Sequence, residues 1–382
     1  MPKHESLRVV SAYGVAHAFV DASCAALVFL ASATGRLVPA EAAAAVLAYN
    51  LLAFASQPLL GWFVTESRSA HVWARVGASM VAGAFFLSLM SGLMWPAVVL
   101  TGLGNAIFHL GGGVVALRAE ANKAALPGLF VAPGAAGLAL GIWLGTAQSF
   151  AWVPAAALVV AILLLGVVTS GTKPTAEPAA RSAAEPTAEP SVELPTELPL
   201  LVVGTLFAVI VLRSFIGSAL EFPWKSDAVL LWALTAAVVA GKAVGGVLAD
   251  RFGRTLVGVG ALVVSIPLLA VGPRWALAGI MGMLLFNMTM PVTLVAMADI
   301  MPERPGFAFG LTCLALIFGS LPVLLHLAGA PGMVATVLGV LVSAILLWVG
   351  LRGAESGLAG RASAKRVPEK SAARLSAECG EE

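Results

Sequence analysis

The sequence predicts an all-α membrane protein whose chain crosses the bilayer twelve times, in two halves of six helices. Three observations lead there. The 382 residues are 59% hydrophobic and only 11% charged, with a mean hydropathy of +0.96, whereas soluble domains carry about a quarter charged residues. Apolar runs of about 17 to 25 residues, the length that crosses a bilayer core, recur along the chain. A polar stretch rich in Pro, Ala, Glu and Thr at 171–198 divides those runs into two equal sets.

The first half, 1–170, contains runs near 7–31, 41–64, 72–93, 96–117, 126–147 and 151–170. The first run follows Lys3 and Arg8 but outlasts a signal-peptide core and has no small-residue cleavage site, so a retained helix is expected. In the fifth, Gly137, Gly141 and Gly145 recur every fourth residue, a ridge that lets another backbone come close, and Pro133 predicts a kink. The stretch 171–198, with PTAEP at 174–178 and again at 186–190, cannot bury enough apolar surface to fold and reads as a flexible linker. The second half, 199–351, contains runs near 199–220, 228–249, 255–271, 275–298, 306–327 and 332–351, and the polar segment 352–382 is expected to be a disordered tail.

A weak internal repeat supports the division. A shift of 178 residues lays Gly104, Phe108, Val114, Pro127 and Gly128 on Gly282, Phe286, Val292, Pro305 and Gly306, and His109 on Asn287; a shift of 185 lays Gly61 on Gly246 and Gln57 on Lys242. Parallel repeats of this kind bind substrate near the midplane, between the halves.

Basic residues set the orientation. With the N-terminus inside, 17 of the 22 lysines and arginines fall in cytoplasmic segments and three, Arg36, Lys225 and Arg274, fall outside. Both termini and the linker are therefore expected in the cytoplasm. Trp95, Trp152, Trp224 and Trp275 at run ends read as an interfacial belt.

Several classes are disfavoured. The net charge of +2 comes with no basic domain, so no nucleic-acid partner is expected. Cys24 and Cys313 lie in apolar runs and Cys379 in the tail, which implies no disulfide framework. No metal-ligand spacing or nucleophile motif stands out, so neither an enzyme nor a cofactor is expected.

Ionisable groups inside hydrocarbon are costly and usually face a cavity or a partner. His17 and Asp21 stand four apart on one helix face, as do Asn105 and His109 on a run of opposite direction. At about 1.5 Å per residue from the inner surface, His17 and His109 lie roughly 15 and 12 Å deep, and Asp21 and Asn105 roughly 21 and 18 Å. Two readings stand: a proton-exchanging cluster and a network that only fixes helix packing. Arg213 suits an anionic substrate or a neighbouring acid such as Glu221, and Lys242 is a second intramembrane cation. Tyr49, Asn50 and Gln57 read as route-lining or interhelical glue, and Asn287 as a cavity candidate. Between two apolar runs, the turn of Asp250, Arg251 and Arg254 can pair across helices in one conformation and release in another; the plain alternative is a topology anchor.

The spacing G-x-x-x-D-R-x-G-R, from Gly246 to Arg254, resembles the loop signature of the major facilitator superfamily. Within it, AHAFVD at 16–21, SQPLLGW at 56–62, GLGNAIFH at 102–109, AGKAVGGVLADRFGR at 240–254 and MADIMPERPGFAFG at 297–310 resemble the bacterial fosmidomycin resistance protein family. That resemblance implies the major facilitator fold, alternating access, and drug export in exchange for protons. It places His17 and Asp21 at the family's first-helix histidine and acid, Gln57 and Pro58 at its Gln-Pro, and His109 at the histidine of its F-H-P-E motif. Leu110 and Gly111 replace that motif's proline and glutamate, Val114 stands where the family tends to have arginine, and the first-half hinge has no Asp-Arg-Gly-Arg pattern.

The expectation is a multi-pass, monomeric transporter of a bacterial inner membrane, with a small-molecule substrate and protons as coupling ion. His17, Asp21, Gln57, Asn105, His109, Arg213 and Asn287 would serve substrate or coupling; Asp250, Arg251 and Arg254 would gate. The alternatives are a metal-ion or organic-anion carrier, in which the histidines, Asp21 and Asn105 supply a nitrogen and oxygen shell, and a transport-inactive sensor or scaffold.

Overall fold

Twelve spans alternate in direction through the structure, a computed structural model that describes residues 3–65, 67–170 and 197–378. In the first half they are α1 (Lys3–Ala33), α2 (Pro39–Asn50) continued by a π segment (Leu51–Ala55) and α3 (Gln57–Gly61), α4 (Ser67–Leu87), α5 (Met94–Ala119), α6 (Ala125–Thr146) and α7 (Val153–Ser170). In the second half they are α8 (Glu197–Ala219), α9 (Ala228–Phe252), α10 (Arg254–Val271), α11 (Ala276–Asn287) with α12 (Thr289–Ile300), α13 (Pro305–Leu324) and α14 (Met333–Glu378). Eleven of these spans are long and apolar enough to cross a membrane, and the twelfth, α7, is apolar but shorter. Most of the expected linker, 171–196, lies outside the described residues.

Local chemistry sets the boundaries and breaks. Asp227 caps α9 by accepting from the N–H groups of Val229 and Leu230 at 2.8 and 3.0 Å. Gly253, at φ 95°, lets the chain turn from α9 straight into α10. Pro58 has no N–H for the carbonyl of Phe54, and the helix widens into the π segment just before it. Side chains take up carbonyls there: Ser56 Oγ donates to Leu52 O at 2.5 Å and Gln57 Nε2 to Ala53 O at 2.7 Å. Pro291 does the same to Asn287, which is where α11 stops and α12 begins. The segment 352–378, for which the sequence predicts disorder, instead continues α14 as helix. It is rich in Ala, Arg, Lys, Glu and Leu, good helix formers that extend a turn already nucleated in the membrane span.

The spans form two bundles of six helices. In lipid, close backbone packing replaces the hydrophobic drive between helices. The seam of α1 against α6 shows it: a Cβ on Gly137, Gly141 or Gly145 would fall on the carbonyl of Ala18, Ala22 or Ala26.

The end that carries the start of α1 is here termed lower. At that end the bundles meet twice in equivalent ways: Gly61 at the end of α3 packs on Gly306 at the start of α13, and Gly246 near the end of α9 packs on Ala124 just before α6. This doubling is the pseudo-symmetry of the fold.

Candidate functional site

Between the bundles lies a cavity of about 470 Å³. Phe309, Val131 and Leu294 line it toward the lower end, and its walls rise past Leu138, Ser218 and Ser320.

The first bundle supplies an acid and two imidazoles. His17 and Asp21, one turn apart on α1, place Nε2 and Oδ2 3.1 Å from each other. His109, on α5, brings its Nε2 to 2.7 Å from that of His17 and 3.8 Å from Asp21 Oδ1. Asn105, one turn along α5, donates from Nδ2 to Asp21 Oδ1 at 3.0 Å. The remaining ring nitrogens are engaged: His17 Nδ1 lies 2.8 Å from the carbonyl of Phe130 and His109 Nδ1 2.9 Å from that of Asn105.

These partners fix the tautomers. A carbonyl only accepts, so each Nδ1 must carry the proton it donates, and a neutral ring then leaves Nε2 bare. Two bare lone pairs at 2.7 Å repel. A cation seated between the rings would relieve that contact, with the Asp21 carboxylate beside it to balance the charge. Of the three side chains, Asp21 faces the cavity most, at 18% exposure against 5% for His17 and 9% for His109.

The second bundle supplies two cations. Arg213 of α8 is buried, donates from Nη2 to the carbonyl of Phe286 at 2.7 Å and stacks its guanidinium 4.8 Å above the Phe286 ring. Its Nε has no partner. It does not pair with Glu221, the acid that the sequence offers it. Lys242 of α9 also lines the cavity, and no carboxylate lies within ion-pair distance of it among the described residues. Asn287, at the end of α11, lines the cavity while its Nδ2 donates to Met283 O at 2.8 Å.

Gln57 is placed elsewhere. It is fully buried in the seam between α3 and α13, where Gly310 packs on its backbone, and is absent from the cavity wall. A regular helix would put it on the face of Asn50, seven residues earlier, which does line the cavity. The intervening π segment adds a residue and turns the remainder of the span by about 100°.

Below the cavity the bundles are tied together. Asp250 accepts from the N–H groups of Ala124 and Ala125. Arg254 pairs with Asp299 of its own bundle at 2.5 Å and donates to Asn122 O of the other at 2.7 Å. Arg251 does not reach across: it is exposed, with its guanidinium 5.3 Å from the neighbouring Phe252 ring, because one residue along a helix turns the side chain about 100° from Asp250. A tie not read from sequence is Arg304, which donates to Trp62 O at 3.2 Å and lies 4.4 Å above the Trp62 ring. Another unanticipated pair, Tyr13 Oη with His71 Nδ1 at 2.7 Å, joins α1 to α4 below His17.

No protein-family model and no curated protein matches the chain. Among solved structures, a variant of the E. coli fucose:proton symporter FucP superposes with a TM-score of 0.65 at 13% identity, over 91% of this chain and 98% of that one. A second structure of FucP, described as a major facilitator superfamily transporter in the outward conformation, gives 0.59 at 13% identity, over 90% and 99%. A bacterial homologue of the iron transporter ferroportin in an outward-facing state gives 0.54 at 13% identity, over 92% and 99%. Likeness at this identity speaks for the fold, which is that of the major facilitator transporters.

Proposed function

We propose that this multi-pass membrane protein is a secondary active transporter that moves a small solute by rocking its two bundles about the central cavity, with protons as coupling ion. The observation that carries the reading is the division of charge: a carboxylate with two imidazoles in one bundle faces two cations in the other, across a cavity tied shut at its lower end. Ionisable groups at this depth mark substrate and ion paths, and the superposed transporters support the same class of activity. The distribution of lysine and arginine supports a cytoplasmic lower end and cytoplasmic termini, the resemblance of the motifs to a bacterial family supports a bacterial inner membrane, and with that orientation the closed lower end makes this the outward-facing state. One chain contains the whole cavity, which suits a monomer.

The solute best matched to Arg213 and Lys242 is a small anion. Lys242 stands within electrostatic reach of Asp21. Without a coupling proton at the cluster the Asp21 carboxylate competes with a solute for that cation; with one bound, the cation is free. Proton and anion therefore favour each other's binding and travel together. A second reading, drug export in exchange for protons, is favoured by His17 and Asp21 of the first helix, which keep the motif of the family that the sequence resembles.

An efflux-deficient bacterium expressing the protein, grown across graded fosmidomycin and unrelated antibacterials beside Asp21→Asn, tests the export reading: resistance that the variant loses supports it. Proteoliposomes given labelled organic anions on the outside test the other, through uptake driven by an inward proton gradient. Good membrane insertion with no flux of any solute in either assay would overturn both in favour of a transport-inactive sensor or scaffold.

A further inference from the structure

The ring nitrogens that His17 and His109 turn toward each other also form a ligand set for a metal. We propose that His17 Nε2, His109 Nε2 and the Asp21 carboxylate bind one divalent first-row transition-metal ion, with an open coordination position facing the cavity. The ion fills the place between the rings with a dication.

Four features of the geometry point this way. The donor set, two imidazoles and one carboxylate, is that of three-ligand sites which keep a fourth position for water or substrate. All three donor groups lie within 4.8 Å of one another. Each donor already has the outer partner that orients a metal ligand: the Phe130 carbonyl holds His17 Nδ1–H, the Asn105 carbonyl holds His109 Nδ1–H, and the Asn105 amide holds Asp21 Oδ1, which leaves Oδ2 for the ion. Beneath them Gly134 leaves room, since a Cβ there would collide with His17 Nε2 and Asp21 Oδ2.

Two nitrogens bound at about 2.0 Å with a tetrahedral angle stand about 3.3 Å apart. The rings therefore part by about half an ångström as the ion enters. Arg213 and Lys242 across the cavity disfavour an uncompensated dication, so an anion on the open position completes the site. The site stands independently of proton coupling, because the metal alone is its probe.

Co²⁺ is that probe, added to purified protein that carries no polyhistidine tag. The expected result is one ion per chain, with the intense visible absorption of four-coordinate cobalt. Binding is lost in His109→Ala and in Gly134→Val, which fills the space under the donors, and weakens about tenfold in Asn105→Ala, the scale of a lost outer partner. Cys24→Ala serves as control, since Cys24 Sγ lies 3.6 Å from Asn105 Nδ2; it should bind as the parent does. Size-exclusion profiles matching the parent establish that each variant is folded. Absence of stoichiometric binding by the parent, or equal binding by folded His109→Ala, overturns the proposal.

Discussion

The carboxylate of Asp250, at the lower end of α9, accepts hydrogen bonds from the backbone N–H groups of Ala124 and Ala125, at 2.7 and 3.0 Å, where α6 begins in the other bundle. A helix start leaves such donors without partners of its own, so one bundle caps a helix of the other. The carboxylate also meets the positive end of the α6 dipole. Both interactions exist only while the lower end is shut.

Asp250→Ala should therefore shift the molecule toward the state open at that end. A lost N-cap costs about 1 kcal/mol, or about fivefold in the ratio of shut to open. Val64 is fully buried in the lower seam. A cysteine at that position, with the native cysteines replaced, is expected to react with a water-soluble maleimide about fivefold faster in the variant. Equal rates would assign the closure to other ties, Arg304 first among them.

Gly137→Ala places a methyl group on the carbonyl of Ala18 and should destabilise the fold by about 1 to 3 kcal/mol, the range for overpacking. Gly166 of α7 has nothing within 4 Å of its missing Cβ, so Gly166→Ala should leave stability level or raise it by up to about 1 kcal/mol. Thermal unfolding in one detergent compares the two. A melting temperature for Gly137→Ala equal to that of Gly166→Ala would mean that the α1–α6 seam yields easily.

The spans are legible in the sequence because a bilayer demands about 20 apolar residues per crossing, and their ends shift by only a few positions, as from 41–64 to Pro39–Gly61 for the second. Depth arithmetic also puts His17 level with His109 and Asp21 level with Asn105, since helix rise is fixed, and these side chains do meet. What stays hidden depends on partners far along the chain. Nothing local says that Asp250 meets the start of α6, that Arg304 crosses to Trp62, or that Tyr13 finds His71. Gln57 escapes a phase counted at 3.6 residues per turn, which does not survive the π segment before Pro58. Asp299 lies within the motif MADIMPERPGFAFG, but its role against Arg254 emerges only when α10 and α12 are brought side by side.

Arg213→Ala should separate the two kinds of ligand. It removes a cavity cation, so the affinity for an anionic solute falls at least tenfold, while Co²⁺ binds more tightly because a repelling charge is gone. Arg213→Lys should not restore the anion site, since an ammonium cannot reproduce the planar stack on Phe286 together with the bond to its carbonyl. Calorimetry with each ligand checks both signs. Parallel loss of both would point to a collapsed cavity.

Asp21→Asn keeps the shape of the cluster and removes its only carboxylate. In proteoliposomes, flux driven by a pH gradient should fall to background and its pH dependence flatten, while exchange of labelled against unlabelled solute persists. Loss of exchange as well would make Asp21 a solute contact in place of a coupling residue.

The seam of α1 and α6 has a bearing on how such a protein diversifies. Where Gly137 and Gly141 lie on the carbonyls of Ala18 and Ala22, backbone meets backbone and only one amino acid is admissible on the α6 side. That strip holds His17 and Asp21 in place, yet presents no side chain of its own to the solute. The opposite wall instead turns side chains to the cavity, Ser218, Met283, Asn287 and Ser320 among them. Substitutions there can retune which solute is accepted, generation after generation, while the ion-holding frame is inherited intact.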